Sequence, residues 1–200
     1  MLNNFVNIGI SKEIVKALTD ISIEIPTEIQ AKAIPIILNE THDFVGLAKT
    51  GTGKTAAFGL PLLQLIDLKS NAIQVVILVP TRELGQQILS NFKLFSKYLP
   101  EISITSVCGG TPIKPQIEQL KDINHIVIAT PGRLIDLIQR KAINIKETNY
   151  FVLDEADEMV TVLKEGLDEI IAELPINRRT LLFSATMPGT IKQLIRNYLS

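Results

Sequence analysis

The chain has 200 residues, 46% of them hydrophobic and 20% charged, with a formal net charge of −1. That length and balance suit one globular domain with its own core, and the near-neutral charge gives no bulk argument for a nucleic-acid partner, which must rest on local positions. A single cysteine excludes an internal disulfide and a multi-cysteine metal site, and no apolar run approaches transmembrane length. With no signal-peptide pattern at the N-terminus, a cytoplasmic protein without membrane contact is expected.

Residues 1–40 read as a helical region. Ser11 is placed as an N-cap, with Ile10 and Val15 in hydrophobic-staple register and Ile14, Ala17 and Leu18 on one face. A second helix start follows at Pro26-Thr27-Glu28-Ile29-Gln30, where Thr27 and Gln30 stand in capping-box register. On local evidence Gln30 caps its own helix, which Pro35 interrupts near its end.

Residues 41–200 alternate between strand-like and helical stretches. The run Phe44–Leu47 reads as a buried strand, and Ala48-Lys49-Thr50-Gly51-Thr52-Gly53-Lys54-Thr55 then leads into an apolar helix running from Lys54 to Leu68. Strand, glycine loop and Lys-Thr at a helix start form the P-loop arrangement, although Ala48 stands where the strict pattern has Gly. Glycines let backbone N–H groups turn inward around phosphate oxygens, and the helix N-terminus adds partial positive charge. Lys54 supplies a full charge to the outer phosphates, and the Thr55 hydroxyl is placed for Mg²⁺. The competing explanation is a glycine turn before an ordinary amphipathic helix.

Further strands are expected at Ile73–Val79, Ile102–Val107, Ile126–Ala129, Tyr150–Leu153 and Thr180–Phe183. Helices are expected from Arg82 to Lys97, Lys114 to Leu120, Gly132 to Gln139, Glu155 to Leu174 and Thr190 to Leu199. Continuously apolar, β-branched strands such as Val75-Val76-Ile77-Leu78-Val79 indicate burial on both faces. Right-handed crossovers then give a three-layer α/β fold with a mostly parallel central sheet, whose ligands sit at the carboxyl ends of the strands. Cys108 ends a strand-like run and reads as an inert buried thiol; His42 and His125 read as surface or strand-edge residues.

The strand Tyr150–Leu153 ends in Asp154-Glu155-Ala156-Asp157. Acidic residues favour helix N-termini, which alone accounts for such a cluster. Opposite a phosphate loop they also carry chemistry: Asp154 to hold Mg²⁺, Glu155 to orient and deprotonate an attacking water.

With these residues in hand, the chain resembles the N-terminal RecA-like domain of a DEAD-box ATP-dependent RNA helicase; the tetrad spells the family's name, and the motifs match in order from Phe5 to Thr186. The resemblance implies a RecA-like P-loop NTPase fold, ATP and Mg²⁺ as ligands, and catalytic roles for Lys54, Asp154 and Glu155. It matches Pro26–Gln30 to the family's Q motif, in which Gln30 reads the adenine edge, Thr27 supports the loop and Phe5 packs on the base. Ser22 stands where the family has Gly, and Ile23 where it has an aromatic. Pro80-Thr81-Arg82, Gly109-Gly110 and Thr130-Pro131-Gly132-Arg133 resemble the segments that contact the RNA backbone, with Arg82 or Arg133 pairing with phosphates. Locally, Thr81 and Thr130 are equally good N-caps, and Pro131 fits a first helical turn. Ser184-Ala185-Thr186 matches the segment whose hydroxyls bond the acidic tetrad, here Asp157, and couple hydrolysis to RNA. After the tetrad the family's Gly-Phe pair is absent from Met159-Val160-Thr161-Val162-Leu163-Lys164, so altered packing is expected there.

The resemblance also implies a second RecA-like domain carrying an arginine finger, for which these residues hold no matching segment; the ending at Ser200 reads as a boundary inside a longer helicase. The chain is thus expected to bind nucleotide and to contact single-stranded or duplex RNA without sequence preference, yet to lack helicase activity alone. A stand-alone nucleotide-gated RNA-binding module, or a P-loop ATPase acting on DNA or protein, remain the alternatives.

Overall fold

The computed structural model describes residues 4–199, with the backbone alone at 161–165. Six short strands, β1 (Phe44–Leu47), β2 (Val75–Leu78), β3 (Ile104–Val107), β4 (Ile126–Ala129), β5 (Tyr150–Leu153) and β6 (Arg179–Ser184), make one sheet in the order β1-β6-β5-β2-β4-β3. Every neighbouring pair is parallel. The sheet is thus wholly, not mostly, parallel. The expected strands at Ile73–Val79 and Ile102–Val107 are realised over the shorter spans Val75–Leu78 and Ile104–Val107 that pair with their neighbours.

Side chains alternate across each strand, so one apolar run fills two cores. Val75, Ile77 and Val79 face α1 (Asn4–Asn7), α2 (Lys12–Asp20), α3 (Glu28–Asn39), α4 (Lys54–Gln64) and α5 (Arg82–Phe95). Val76 and Leu78 face α6 (Ile113–Gln119), α7 (Pro131–Gln139), α8 (Ala156–Glu173) and α9 (Gly189–Tyr198). The first core is aromatic at its centre, where Phe58 lies against Phe92 and Phe183. Among the described residues no helix is long and apolar enough to cross a membrane.

Ile10 is buried and Val15 half-buried across the start of α2, as the staple register requires. The other end of that helix explains a departure from the family pattern. Ser22 takes a left-handed backbone (φ 58), with its N–H on the Thr19 carbonyl at 3.0 Å and the Ile23 N–H on the Leu18 carbonyl at 2.9 Å. This is a Schellman ending, whose left-handed position favours glycine, and Ile23 packs against the first core beside Leu18. Ser22→Gly should therefore stabilise the fold by about 0.5–1 kcal/mol, the left-handed cost less the entropy glycine loses on folding. A thermal melt checks this; an unchanged or lower midpoint contradicts it. Beyond the tetrad, Val160 is half-buried against the second core, whereas the side chains of Thr161–Lys164 lie outside the described residues.

Candidate active site

All six strands point the same way, so the loops after them share one pole, and the sheet order sorts those loops into two adjoining groups. Those after β1, β6 and β5 carry the glycine loop, Ser184-Ala185-Thr186 and the acidic tetrad. Those after β2, β4 and β3 carry Pro80-Thr81-Arg82, Thr130–Arg133 and Gly109-Gly110.

In the first group, the Ala48 N–H donates to the Ser184 carbonyl at 3.0 Å, extending the β1–β6 ladder into the loop. Lys49 lies exposed just after, and its carbonyl accepts from the Thr52 hydroxyl at 2.7 Å. Gly51 and Gly53 have φ of 82° and 91°. Gly53 is required twice over: its backbone is left-handed, and a Cβ there would lie 2.4 Å from Gln30 Nε2. That approach exists because Gln30 Nε2 donates to the Gly53 carbonyl at 3.1 Å, while Gln30 Oε1 accepts from the Thr27 N–H at 2.9 Å. The capping register is therefore real, and the same side chain also ties α3 to the phosphate loop.

Lys54 opens α4 and is buried, yet its ammonium has no hydrogen-bond partner. It stands 3.9 Å from Asp154 Oδ1 and 3.6 Å from Glu155 Oε1. Thr55 follows, half-buried in the first turn of α4. Glu155 Oε1 also accepts from the Thr50 hydroxyl at 3.1 Å, a cross-loop contact with no signature in the sequence. Glu155 has a left-handed backbone (φ 54), and its N–H donates to Asp154 Oδ1 at 3.0 Å.

Burial pushes the Asp154 carboxyl up to about 6, against the opposing pull of Lys54 and with a further upward push from Glu155. The folded pKa lies above the ordinary 3.8, so ionising Asp154 costs the folded state between pH 4 and 6, by about 3 kcal/mol in full. The carboxylates of Asp20 and Glu28 are shifted the opposite way, so the wild-type profile mixes both signs. The stability difference between Asp154→Asn and wild type isolates the term: it should move in the variant's favour as pH rises from 4 to 7. A pH-independent difference in paired melts would contradict this.

Asp157 Oδ2 accepts from the Thr186 hydroxyl at 2.7 Å and the Thr186 N–H at 3.0 Å. The Ser184 hydroxyl donates to the Thr186 carbonyl at 2.7 Å and braces the turn, and, against the upward push of burial, it also contributes with Thr186 to holding the Asp157 carboxyl below its ordinary value.

In the second group, the Thr81 hydroxyl accepts from the Leu84 N–H at 3.2 Å and caps α5, which leaves Arg82 exposed. Pro80 is half-buried just before it. Thr130 does not cap its helix through its side chain; its hydroxyl accepts from the Gly109 N–H at 3.0 Å and joins the ends of β3 and β4. Pro131 occupies the first turn of α7, and Gly110 and Gly132 are exposed. Arg133 Nη2 donates to the Thr111 carbonyl at 2.8 Å and its Nη1 to Gln116 Oε1, so two of the guanidinium's donors brace the glycine-doublet loop. Buried Gln116, which the sequence did not single out, completes that loop by donating to the Cys108 carbonyl at 3.0 Å. The Cys108 thiol is buried beneath, and burial pushes its pKa up.

Two expectations meet burial. His125 is buried, not peripheral, with Nδ1 accepting from the Ser103 N–H at 3.0 Å, while His42 is exposed. Phe5 is fully buried in the first core, so its ring has no open face to offer a base in this structure. A cavity of about 430 Å³ beside the phosphate loop is lined instead by Thr27, Ile29, Lys32, Leu47, Ala48 and Thr52.

Residues 27–194 match the DEAD/DEAH box helicase family. The chain is 38% identical over 200 residues to the DEAD-box ATP-dependent RNA helicase CshA of Geobacillus kaustophilus, covering all of this chain and 42% of that protein. It is 40% identical over 196 residues to the ATP-dependent RNA helicase DeaD of Escherichia coli, covering 98% of this chain and 31% of that one. A solved DEAD box protein from the hyperthermophile Methanococcus jannaschii is 38% identical with a TM-score of 0.90, over 98% of this chain and 53% of that chain. The chain thus spans well under half the length of these two curated relatives. An all-parallel α/β domain with this motif order, matched over most of its length, belongs to the DEAD/DEAH box helicase family.

Proposed function

We propose that this chain is the ATP-binding domain of an ATP-dependent RNA helicase, and that the remainder of its active site lies on a second RecA-like domain outside these residues. One observation carries the reading: a buried ammonium without a hydrogen-bond partner, Lys54 Nζ, held beneath a glycine loop and 3.6 and 3.9 Å from two carboxylates. A buried ion left short of partners is costly, and phosphate oxygens would supply what it lacks. The loop amides of Gly51 to Thr55 and the start of α4 add donors and partial positive charge.

The donor set also fits Mg²⁺: the buried Asp154 carboxyl and the Thr55 hydroxyl in the first turn of α4 are oxygen ligands of the kind a hard cation takes. Asp154 and Thr55 would hold the ion, which supplies charge neutralisation on the phosphates. Glu155 orients a water and accepts its proton. Thr50 and Lys54 hold that carboxylate in place, and Asp157 with Thr186 links it to β6. Gln30 and the cavity walls receive the base.

Pro80, Thr81, Arg82, Gly109, Gly110, Thr130 and Gly132 form the proposed RNA face, and Arg133 acts there by shaping the glycine loop. Such backbone contacts bind without sequence preference and weaken with salt.

Calorimetric titration with Mg·ADP tests the reading: saturable, Mg-dependent binding is expected, with little turnover of ATP, since an arginine finger contributes ~10³–10⁵ in rate. Absence of binding at millimolar nucleotide would sink it. Competition of single-stranded RNA against DNA with the longer protein and a non-hydrolysable ATP analogue separates an RNA helicase from a DNA-directed ATPase.

A further inference from the structure

The base end of the cavity lies between two segments, the start of α3 (Thr27 to Lys32) and the end of β1 (Leu47, Ala48). The chain joins those segments at the opposite pole, where α3 ends and β1 begins. Arg179, the first residue of β6, sits there and is only 6% exposed. Its guanidinium donates from Nη1 to the Ile37 carbonyl at 2.7 Å, from Nη2 to the Ile36 carbonyl at 3.3 Å, and from Nε to the His42 carbonyl. The first two acceptors belong to the last turn of α3, at the negative end of the helix dipole, and the guanidinium shares the Ile36 carbonyl with the Glu40 N–H, which reaches it at 2.9 Å. The third lies in the turn into β1. Beside it, the Thr180 N–H donates to Asp43 Oδ1 at 2.6 Å, fastening the same turn to the same strand.

From this geometry we infer that Arg179 is a positioning residue for the base end of the nucleotide cavity. One side chain fixes where α3 ends and where β1 starts, and both elements run from that point to opposite walls of the cavity. At its far end β6 repeats the fastening, since the Ser184 carbonyl accepts from the Ala48 N–H at 3.0 Å. Strand β6 therefore holds β1 at both of its ends. The Lys54 end is built differently, on α4 and β5, and does not pass through Arg179. Loosening the clamp should therefore let the Ile29 and Lys32 wall drift relative to Leu47, while the Gln30 bond to the Gly53 carbonyl keeps the start of α3 on the phosphate loop.

The inference rests on the nucleotide reading above, and the test separates the two. Affinities of Mg·ADP and Mg·GDP are measured by calorimetry for wild type, Arg179→Met and Arg179→Lys, with thermal melts alongside. Wild type should prefer ADP. In Arg179→Met that preference should shrink roughly 3- to 10-fold, the size of one lost neutral hydrogen bond to the base, mainly through weaker ADP binding. Arg179→Lys keeps the charge but not the fork that reaches three carbonyls, so it should melt near wild type and restore the preference only in part. It also serves if Arg179→Met does not fold. Equal weakening of both nucleotides, or an unchanged preference in a folded variant with a lowered melting point, overturns the positioning role. A wild type that binds neither nucleotide overturns the nucleotide reading itself.

Discussion

Replacing Lys54 with methionine should weaken Mg·ADP binding by roughly 10- to 100-fold, the value of a charge-assisted phosphate contact, while leaving the fold intact. The two halves of that expectation have separate causes. The ammonium is buried without a hydrogen-bond partner, so the nucleotide-free protein gains little from it and bears the cost of burying a charge. Methionine has similar length and an apolar tip, and fills the same channel at the start of α4. Removing the charge leaves Asp154 and Glu155 without their shared cation, so Asp154 stays protonated to higher pH and relieves the repulsion. The melting point should therefore move by no more than about 3 °C, equivalent to roughly 1 kcal/mol for a domain of this size. Wild-type ADP affinity in Lys54→Met would remove the central argument for a phosphate site; loss of folding would show that the ammonium stabilises the empty protein.

The second large effect concerns turnover. Glu155→Gln in the protein carrying both proposed domains should lower RNA-stimulated ATP hydrolysis by ~10²–10⁴-fold, the usual contribution of a general base. Nucleotide affinity should stay within a few-fold of wild type. Glutamine preserves the shape of the side chain and one acceptor oxygen, so the Thr50 hydroxyl keeps its partner. It cannot take a proton from water. The left-handed backbone at this residue aims the carboxylate from the start of α8 back toward the loop, a conformation held by the Glu155 N–H bond to Asp154. Single-turnover hydrolysis at wild-type rate in this variant would reassign the base.

Local pattern went far in this chain because its strands are short, apolar and punctuated. The bounds of β1, β4 and β5 are those expected from Phe44–Leu47, Ile126–Ala129 and Tyr150–Leu153, and the gathering of Lys54, Asp154 and Glu155 follows from loops sharing one end of a parallel sheet. The misses are of another kind. Arg133 lies in a segment resembling RNA contacts, and only the folded arrangement of Thr111 and Gln116 shows that its guanidinium is already engaged. Thr130 stands at the N-cap of α7, as local pattern allows, yet its hydroxyl reaches Gly109 in the loop after the neighbouring strand. Phe5 stands at the family's distance from Gln30, but distance along the chain does not tell which face a ring turns, and here it turns inward. Arg179 has no signature in the sequence because its partners are main-chain carbonyls, which leave no trace in side-chain identity.

The position of β1 has a consequence for how the protein comes into being. As one of the two outermost strands it pairs, among the described residues, with β6 alone, Phe44 opposite Leu181 and Leu47 opposite Ser184. On the ribosome, the glycine loop therefore emerges well before residues 179–184 give its supporting strand a neighbour. Until then β1 is an unpaired apolar edge, the kind of segment that recruits wrong partners. Chains shortened before residue 184 should accumulate as aggregates or chaperone clients, and ligand added during synthesis can rescue only those in which β6 has been made.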